Sequence, residues 1–285
     1  MPRVSIAIPV FNGEAYLRES LACLESQTFR NIEVLVCDNH STDATPDIAS
    51  EFASRDPRFR HIRHPDNIGM MPNFIYGAQQ AASPYFMWRA FDDLSDAGYV
   101  AALVATLEAN PDAVLAAPAV TTVNMDGSNE RLRSFPALSG RAFLDTLTLL
   151  FQSRAGWFYG LWRREPLLRS MSLVLEAYPD LWGNDHLTML PFFLKRQIAF
   201  SPQARFIQRL KKTAVSPKSR VMVTAAQMQQ HRQDFAACYS SVLEACGPGG
   251  AAGLALGLAM YPWRERRTYR LGQMVKAAIR PKGVQ

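Results

Sequence analysis

Cysteine is scarce in this sequence, and the scarcity excludes the frameworks that cysteine usually builds. Cys23, Cys37, Cys238 and Cys246 form no CxxC pair and no metal-ligand spacing. Small buried thiols in a reduced, cytoplasmic compartment are therefore expected. Long apolar runs are also missing. The longest candidate, residues 251–261, falls well short of the ~20 residues that cross a bilayer. Met1-Pro2-Arg3 leads straight into a strand pattern, so no signal peptide is expected. The first apolar run is followed by no G-x-G-x-x-G, which disfavours a dinucleotide-binding dehydrogenase. Its loop, Phe11-Asn12-Gly13-Glu14, also lacks the glycine-rich, cationic character of a nucleotidyltransferase.

Excess charge is absent from the body of the chain. Seven basic residues from Arg264 onward face one acid, Glu265, and account for the whole net charge of +6. A nucleic-acid binder spreads its cations over the main domain with aromatics between them, so no nucleic-acid partner is expected. The pI belongs to the tail. What remains is 285 residues, 48% hydrophobic, enough for one large core with an appendage.

Residues 4–10 form a near-continuous apolar run, as in a strand covered on both faces. Residues 14–26 read as a helix, 32–37 as a strand, and 38–43 as turn chemistry that caps a helix reaching Phe52. A short strand at 59–63 and a helix at about 71–82 follow. The run 85–88 then leads into Asp92-Asp93, a helix over 96–109, a strand over 113–120 and a turn at 124–128. This rhythm predicts an α/β fold with a mostly parallel sheet and right-handed crossovers. Helices are expected near 141–151, 166–175, 184–196 and 224–246. The division expected is a domain over 1–216, with halves 1–125 and 126–216, and a helical C-terminal extension over 217–285.

Two acidic stations carry the chemistry: Asp38 at the end of the second strand, and Asp92-Asp93 beyond the run 85–88. In open α/β sheets ligands bind outside the carboxyl ends of the strands. Asp38 suits either a ligand contact or a helix cap, and Asp92-Asp93 either a cation site or a helix N-terminal acidic pair.

The stretch VSIAIPVFNGEAYLRESLACLESQTFRNIEVLVCDNHSTDAT resembles the opening of family 2 glycosyltransferases. An apolar strand ends in Pro-Val-Phe-Asn, a helix and Ser-Gln-Thr follow, and a second strand ends in Asp-Asn-x-Ser-Thr-Asp. Asn67-x-Gly69, the helix with Asn73, Gly77 and Ala81, and Asp92-Asp93 extend the likeness. It holds well over about 3–125 and more thinly to about 216. The resemblance implies a GT-A fold, an inverting mechanism, a nucleotide-sugar donor and a divalent metal, Mg²⁺ or Mn²⁺. It assigns Asp38 to the nucleobase, with Pro9 and Phe11 as the wall of the base pocket, and Asp92 to the metal. Asp93 counts among the donor contacts, supporting Asp92 or facing the acceptor. Ala90 replaces the first acid of the family's Asp-x-Asp, which removes the usual ribose contact.

Trp182-Gly183-Asn184-Asp185-His186 matches the family's helix-opening Glu-Asp, with Asn184 in place of Glu, and makes Asp185 the candidate general base. His186 is a rival. Arg209 and Lys211, with Lys212 less aligned, match cations on a loop that closes over the diphosphate; a solvated basic loop is the plainer alternative. Trp157, Phe158, Tyr159 and Trp162 suit either an acceptor platform or core packing. The implied acceptor is a saccharide or a lipid-linked saccharide in cell-surface polysaccharide or glycolipid synthesis. Residues 251–261 and the basic tail then suggest a peripheral contact with the inner face of the cell membrane. A silent sugar-nucleotide-binding module is the other class, favoured by Ala90 and Asn184.

Overall fold

Seven consecutive buried residues form β1 (Val4–Val10), the centre of the sheet's first half. A computed structural model describes residues 2–133, 135–177 and 184–210, with helical pieces at 233–234, 237–242 and 244–245. Lys211, Lys212, Trp182, Gly183, Cys246, residues 251–261 and the basic tail lie outside the described residues. β1 pairs in parallel with β2 (Ile32–Asp38) and β4 (Tyr85–Trp88), and β2 with β3 (Phe59–Arg63). Helices α1 (Glu14–Glu25), α2 (Thr45–Arg55) and α3 (Met70–Gln80) connect these strands, each within about three residues of expectation. Gly77 lets α3 lie directly on β1, since a Cβ there would stand 2.7 Å from that of Ala7.

The second half departs from simple alternation. After β4 the chain crosses to the far edge as β5 (Leu94–Ser95) and returns through α4 (Tyr99–Ala109) to β6 (Leu115–Asn124). Helix α4 starts three residues later than expected because Leu94 and Ser95 pair with β9 (Ile198–Leu210). β7 (Arg131–Arg133) and β8 (Leu161–Arg163) both run antiparallel to β6. The strand order is β3-β2-β1-β4-β8-β6-β9-β5, with β7 off β6. Only β5, β7 and β8 run against the other six strands, so the sheet is mostly parallel as expected.

Helices α5 (Ala142–Gln152), α6 (Arg164–Ala177) and α7 (Asn184–Leu194) complete the described body. Between α5 and β8 a short 3₁₀ turn, Ala155–Tyr159, carries the aromatic cluster. Trp157, Phe158 and Trp162 are buried. Phe158 stacks on Trp88 with ring centres 4.6 Å apart. These three therefore pack the core, and the acceptor-platform alternative is withdrawn for them; Tyr159 is half-buried. Of the thiols, Cys37 and Cys238 are buried, and burial pushes Cys37 up to about 12.

Candidate active site

The carboxyl ends of β1, β2, β4, β6 and β9 share one edge, where Asp38, Asp92-Asp93 and Arg209 stand at or just beyond the strand ends. At the end of β4 the chain turns tightly, the Asp93 amide donating to the Ala90 carbonyl at 3.3 Å. Gly13, in the loop after β1, lets Phe91 approach: a Cβ on Gly13 would meet the Phe91 ring at 2.8 Å. A side chain there would push the acidic turn off the first strand.

Asp93 is buried beneath this turn, and its Oδ1 accepts the Arg209 backbone amide at 2.8 Å. Burial pushes its carboxyl up to about 7, with the Asp92 charge adding while the Arg209 amide, Arg89 and the Arg209 guanidinium oppose it. Asp93 thus braces Asp92 from below. Arg209 does not sit on a loop, as the resemblance implied, but in β9, because residues 205–210 pair with β6 without a break. Its guanidinium donates to the Asp92 carbonyl, pairs with Glu19 of α1 and lies 5.3 Å from the centre of the Tyr16 ring. The side chain is 10% exposed, with Nη2 buried and unpaired among the described residues.

Asp38 ends β2, and its carboxylate is enclosed rather than open. Oδ1 accepts the Ser41 amide at 2.9 Å, while Oδ2 lies 3.5 Å from His61 and 3.7 Å from Arg63. Burial raises this carboxyl, but the His61 and Ser41 hydrogen bonds outweigh it, and the group titrates below the ordinary aspartate range. Asp38 therefore holds the turn after β2 together, caps no helix and stands one layer beneath the surface. Over it lies Arg63, whose side chain is 43% exposed. Next to it Asn39 joins this loop to the next: its amide reaches Asn67 and Gly69, and its carbonyl receives the Ile68 amide at 2.8 Å. Pro9 is buried within β1, while Phe11 is 44% exposed beside it, a flat apolar face at the mouth.

Asp185 lies in the first turn of α7 and accepts the His186 amide at 2.8 Å. Asn184 is buried; its carbonyl accepts from Thr188, and its Nδ2 has no partner among the described residues. Tyr159 links this helix end to the acidic turn. Burial raises its hydroxyl, and the charges of Asp93, Asp185 and Asp92 all push it further the same way. The adjacent pair Asp92-Asp93 and the distant Asp185 thus all lie within electrostatic reach of one phenol. Its ring stacks on Phe206 of β9 with centres 5.3 Å apart, and its carbonyl accepts from Tyr99 at 2.9 Å.

Glu19 and Arg89 were not singled out as site residues by sequence, and Tyr159 was named only within the aromatic cluster. A charge inside an apolar strand end could have flagged Arg89. It is buried, bonded to Ser95 and lies 5.4 and 5.6 Å from the ring centres of Tyr99 and Phe206. No group of three or more His, Cys, Asp or Glu side chains forms a ready-made metal cage among the described residues.

Residues 5–166 match the family described as Glycosyl transferase family 2. The chain belongs to that family. EpsH of Bacillus subtilis is 34% identical over 114 residues, 40% of this chain and 33% of that protein. Glycosyltransferase GlyA of Streptococcus pneumoniae is 33% identical over 101 residues, 35% of this chain and 14% of its own length. The chain thus spans about a third or less of these relatives. TarS from S. aureus, crystallised with UDP-GlcNAc, superposes with a TM-score of 0.67 at 16% identity, over 94% of this chain and 73% of that one. A mannosyltransferase from Pyrobaculum calidifontis, solved with GDP-Man and Mn²⁺, gives 0.53 at 17% identity, over 99% and 76%. At such identity the two likenesses speak for the shared GT-A fold. This family 2 member keeps that fold.

Proposed function

We propose that this protein is an inverting glycosyltransferase that moves a sugar from a nucleoside-diphosphate sugar to a hydroxyl of a saccharide or lipid-linked acceptor. What supports this is the acidic turn after β4, where Asp92 stands beside the buried Asp93–Arg209 bond, together with Asp185 in the first turn of α7. The proposal sets Asp185 and Asp92 on two sides of one space, as a single in-line displacement requires. Asp185 takes the proton of the attacking hydroxyl as the new bond to the anomeric carbon forms. The bond from that carbon to the diphosphate oxygen breaks with its electron pair, and a nucleoside diphosphate leaves.

Asp92 is the residue that would hold a divalent cation. One carboxylate completed by phosphate oxygens suits Mg²⁺ or Mn²⁺, and Asp93, buried and committed to the Arg209 amide, serves as support. Such a cation supplies neutralisation of the charge that grows on the leaving diphosphate. Arg209, whose buried Nη2 is unpaired, adds a fixed cation beside Asp92. For the base, Phe11 offers its exposed ring. Arg63 and the loop held by Asn39 offer the polar edge, with Asp38 fixing their shape from below. Work on a cell-surface polysaccharide or glycolipid fits this chemistry. So does a cytoplasmic place with a peripheral membrane contact, for no helix among the described residues is long and apolar enough to cross a membrane.

The test is release of nucleoside diphosphate from a panel of UDP-, GDP- and dTDP-sugars, with and without Mn²⁺. Metal-stimulated release from one donor, increased by a saccharide acceptor, is expected. Donor binding with no release under any condition would favour the silent module that Ala90 and Asn184 bring to mind.

A further inference from the structure

A second feature opens on the same strand that carries Arg209. Between β6 and β9 the register breaks: Pro118 pairs with Ser201, and the next residue, Ala119, pairs with Arg205, leaving residues 202–204 extra on β9. A bulge of this kind bends its strand and re-aims the neighbouring side chains. Beside it lies a cavity of about 490 Å³ whose lining includes Thr121, Glu130, Leu132, Arg133, Phe135 and Arg205.

Its chemistry is uneven. Arg205 pairs with Glu130 and reaches the Thr121 hydroxyl at 3.4 Å. Arg133 and Arg205 outnumber Glu130, so the lining carries net positive charge, and the Arg133 side chain has no hydrogen-bond or ion-pair partner among the described residues. Phe135 supplies a fixed flat wall, its ring centre 4.6 Å from that of Phe200, and Leu132 is 69% exposed. An arginine fork matches a carboxylate or phosphate through two parallel hydrogen bonds. An apolar face beside that fork suits the C–H face of a sugar ring. From Arg205 to Arg209 is four residues, ~13 Å along an extended strand, and strand alternation sends both to one side. Arg209 in turn touches Asp92.

We propose that this cavity is an anion subsite for the acceptor, holding the carboxylate or phosphate of an acidic saccharide whose reacting hydroxyl lies toward Asp185. The assignment of an acceptor rests on the transferase proposal above; the anion site itself does not. Binding of D-glucuronate, glucose 6-phosphate and glucose is measured by titration calorimetry on the full chain. Mn²⁺ and an equimolar mixture of UDP, GDP and dTDP are present in excess to fill the donor site. Binding of at least one charged probe and not of glucose is expected, and the probe that binds separates carboxylate from phosphate. Arg133→Ala should weaken it about tenfold or more, as loss of a charged hydrogen bond does, with Arg133→Lys in between. Arg205→Gln is the second variant, and thermal unfolding reports whether each is folded. Affinity unchanged in both folded variants, glucose bound as well as the charged probes, or no probe bound, would each overturn the site. If Arg133-dependent anion binding persists while no donor is cleaved, the transferase proposal fails and the cavity site stands. If donor is cleaved while both variants bind anions like the parent, the subsite alone fails.

Discussion

The proposed mechanism asks Asp92 to hold a cation and Asp185 to take a proton, and single substitutions separate the two roles. Asp92→Ala removes the proposed oxygen ligand without touching the buried Asp93–Arg209 bond. The rise in melting temperature that Mn²⁺ adds to donor binding should disappear, since ligand stabilisation scales with ln(1 + [L]/Kd). A Mn²⁺-dependent shift of unchanged size would remove Asp92 from the metal site. Asp185→Asn should leave that shift intact and lower transfer by about 10²–10⁴-fold, the usual worth of general base catalysis. Retention of full transfer would point to His186, the next residue of the same helix. Both residues could be picked out because an acid after an apolar strand, or opening a helix after glycine, stands out by type and place. Asp38 was equally visible, but its enclosure was not. That depends on His61 and Arg63 from a third strand, which no local pattern ties to residue 38.

At the scale of elements, the short strand β8 shows where local signals fail. Three residues, Leu161–Arg163, carry no periodicity, yet they join β4 to β6 and turn two half-sheets into one. Their entry is set by Gly160, where a Cβ would stand 2.2 Å from the Ala116 carbonyl oxygen, a backbone atom with nowhere to go. Gly160→Ala should therefore cost about 1–3 kcal/mol, as overpacking of a closed interior does. Urea unfolding would read it; a midpoint within error of the parent would mean that β8 can shift freely against β6. β9 was hidden for a related reason. Pro202 and the extra residues of its bulge break the alternation that marks a strand. Arg209 was consequently read as a loop residue. The bond from its amide to Asp93 spans 116 positions and has no sequence signature.

Across the whole molecule, most of the carboxylates held below their ordinary values fall in the β2–α2–β3 half of the sheet, with Asp145 of α5 outside it. Asp38, Asp43 and Asp56 are all held below the ordinary aspartate value of 3.8. For Asp56 the chief cause is the side-chain hydrogen bond from Arg58, with burial opposing and the Arg58 amide and charge adding. Its carboxylate also receives the Arg58 amide at 3.0 Å, closing the turn between α2 and β3. A carboxyl whose folded pKa is depressed adds stability that is complete above its unfolded value and drains away as pH falls through the folded one. This half should thus be equally firm from about pH 5 to 7, as far as these groups decide, and loosen below about pH 4. Asp56→Asn, distant from the proposed chemistry, isolates one contribution. At pH 6 it should destabilise the protein by about 1–2 kcal/mol, the worth of a charge-assisted bond at a mostly buried site. That gap from the parent should close as both are taken toward pH 2–3, where the parent's carboxylate is protonated too. Urea titrations monitored by circular dichroism across this range measure it. A gap that stays constant or widens on acidification would mean that the Asp56–Arg58 pair contributes through shape alone, leaving acid sensitivity to other groups.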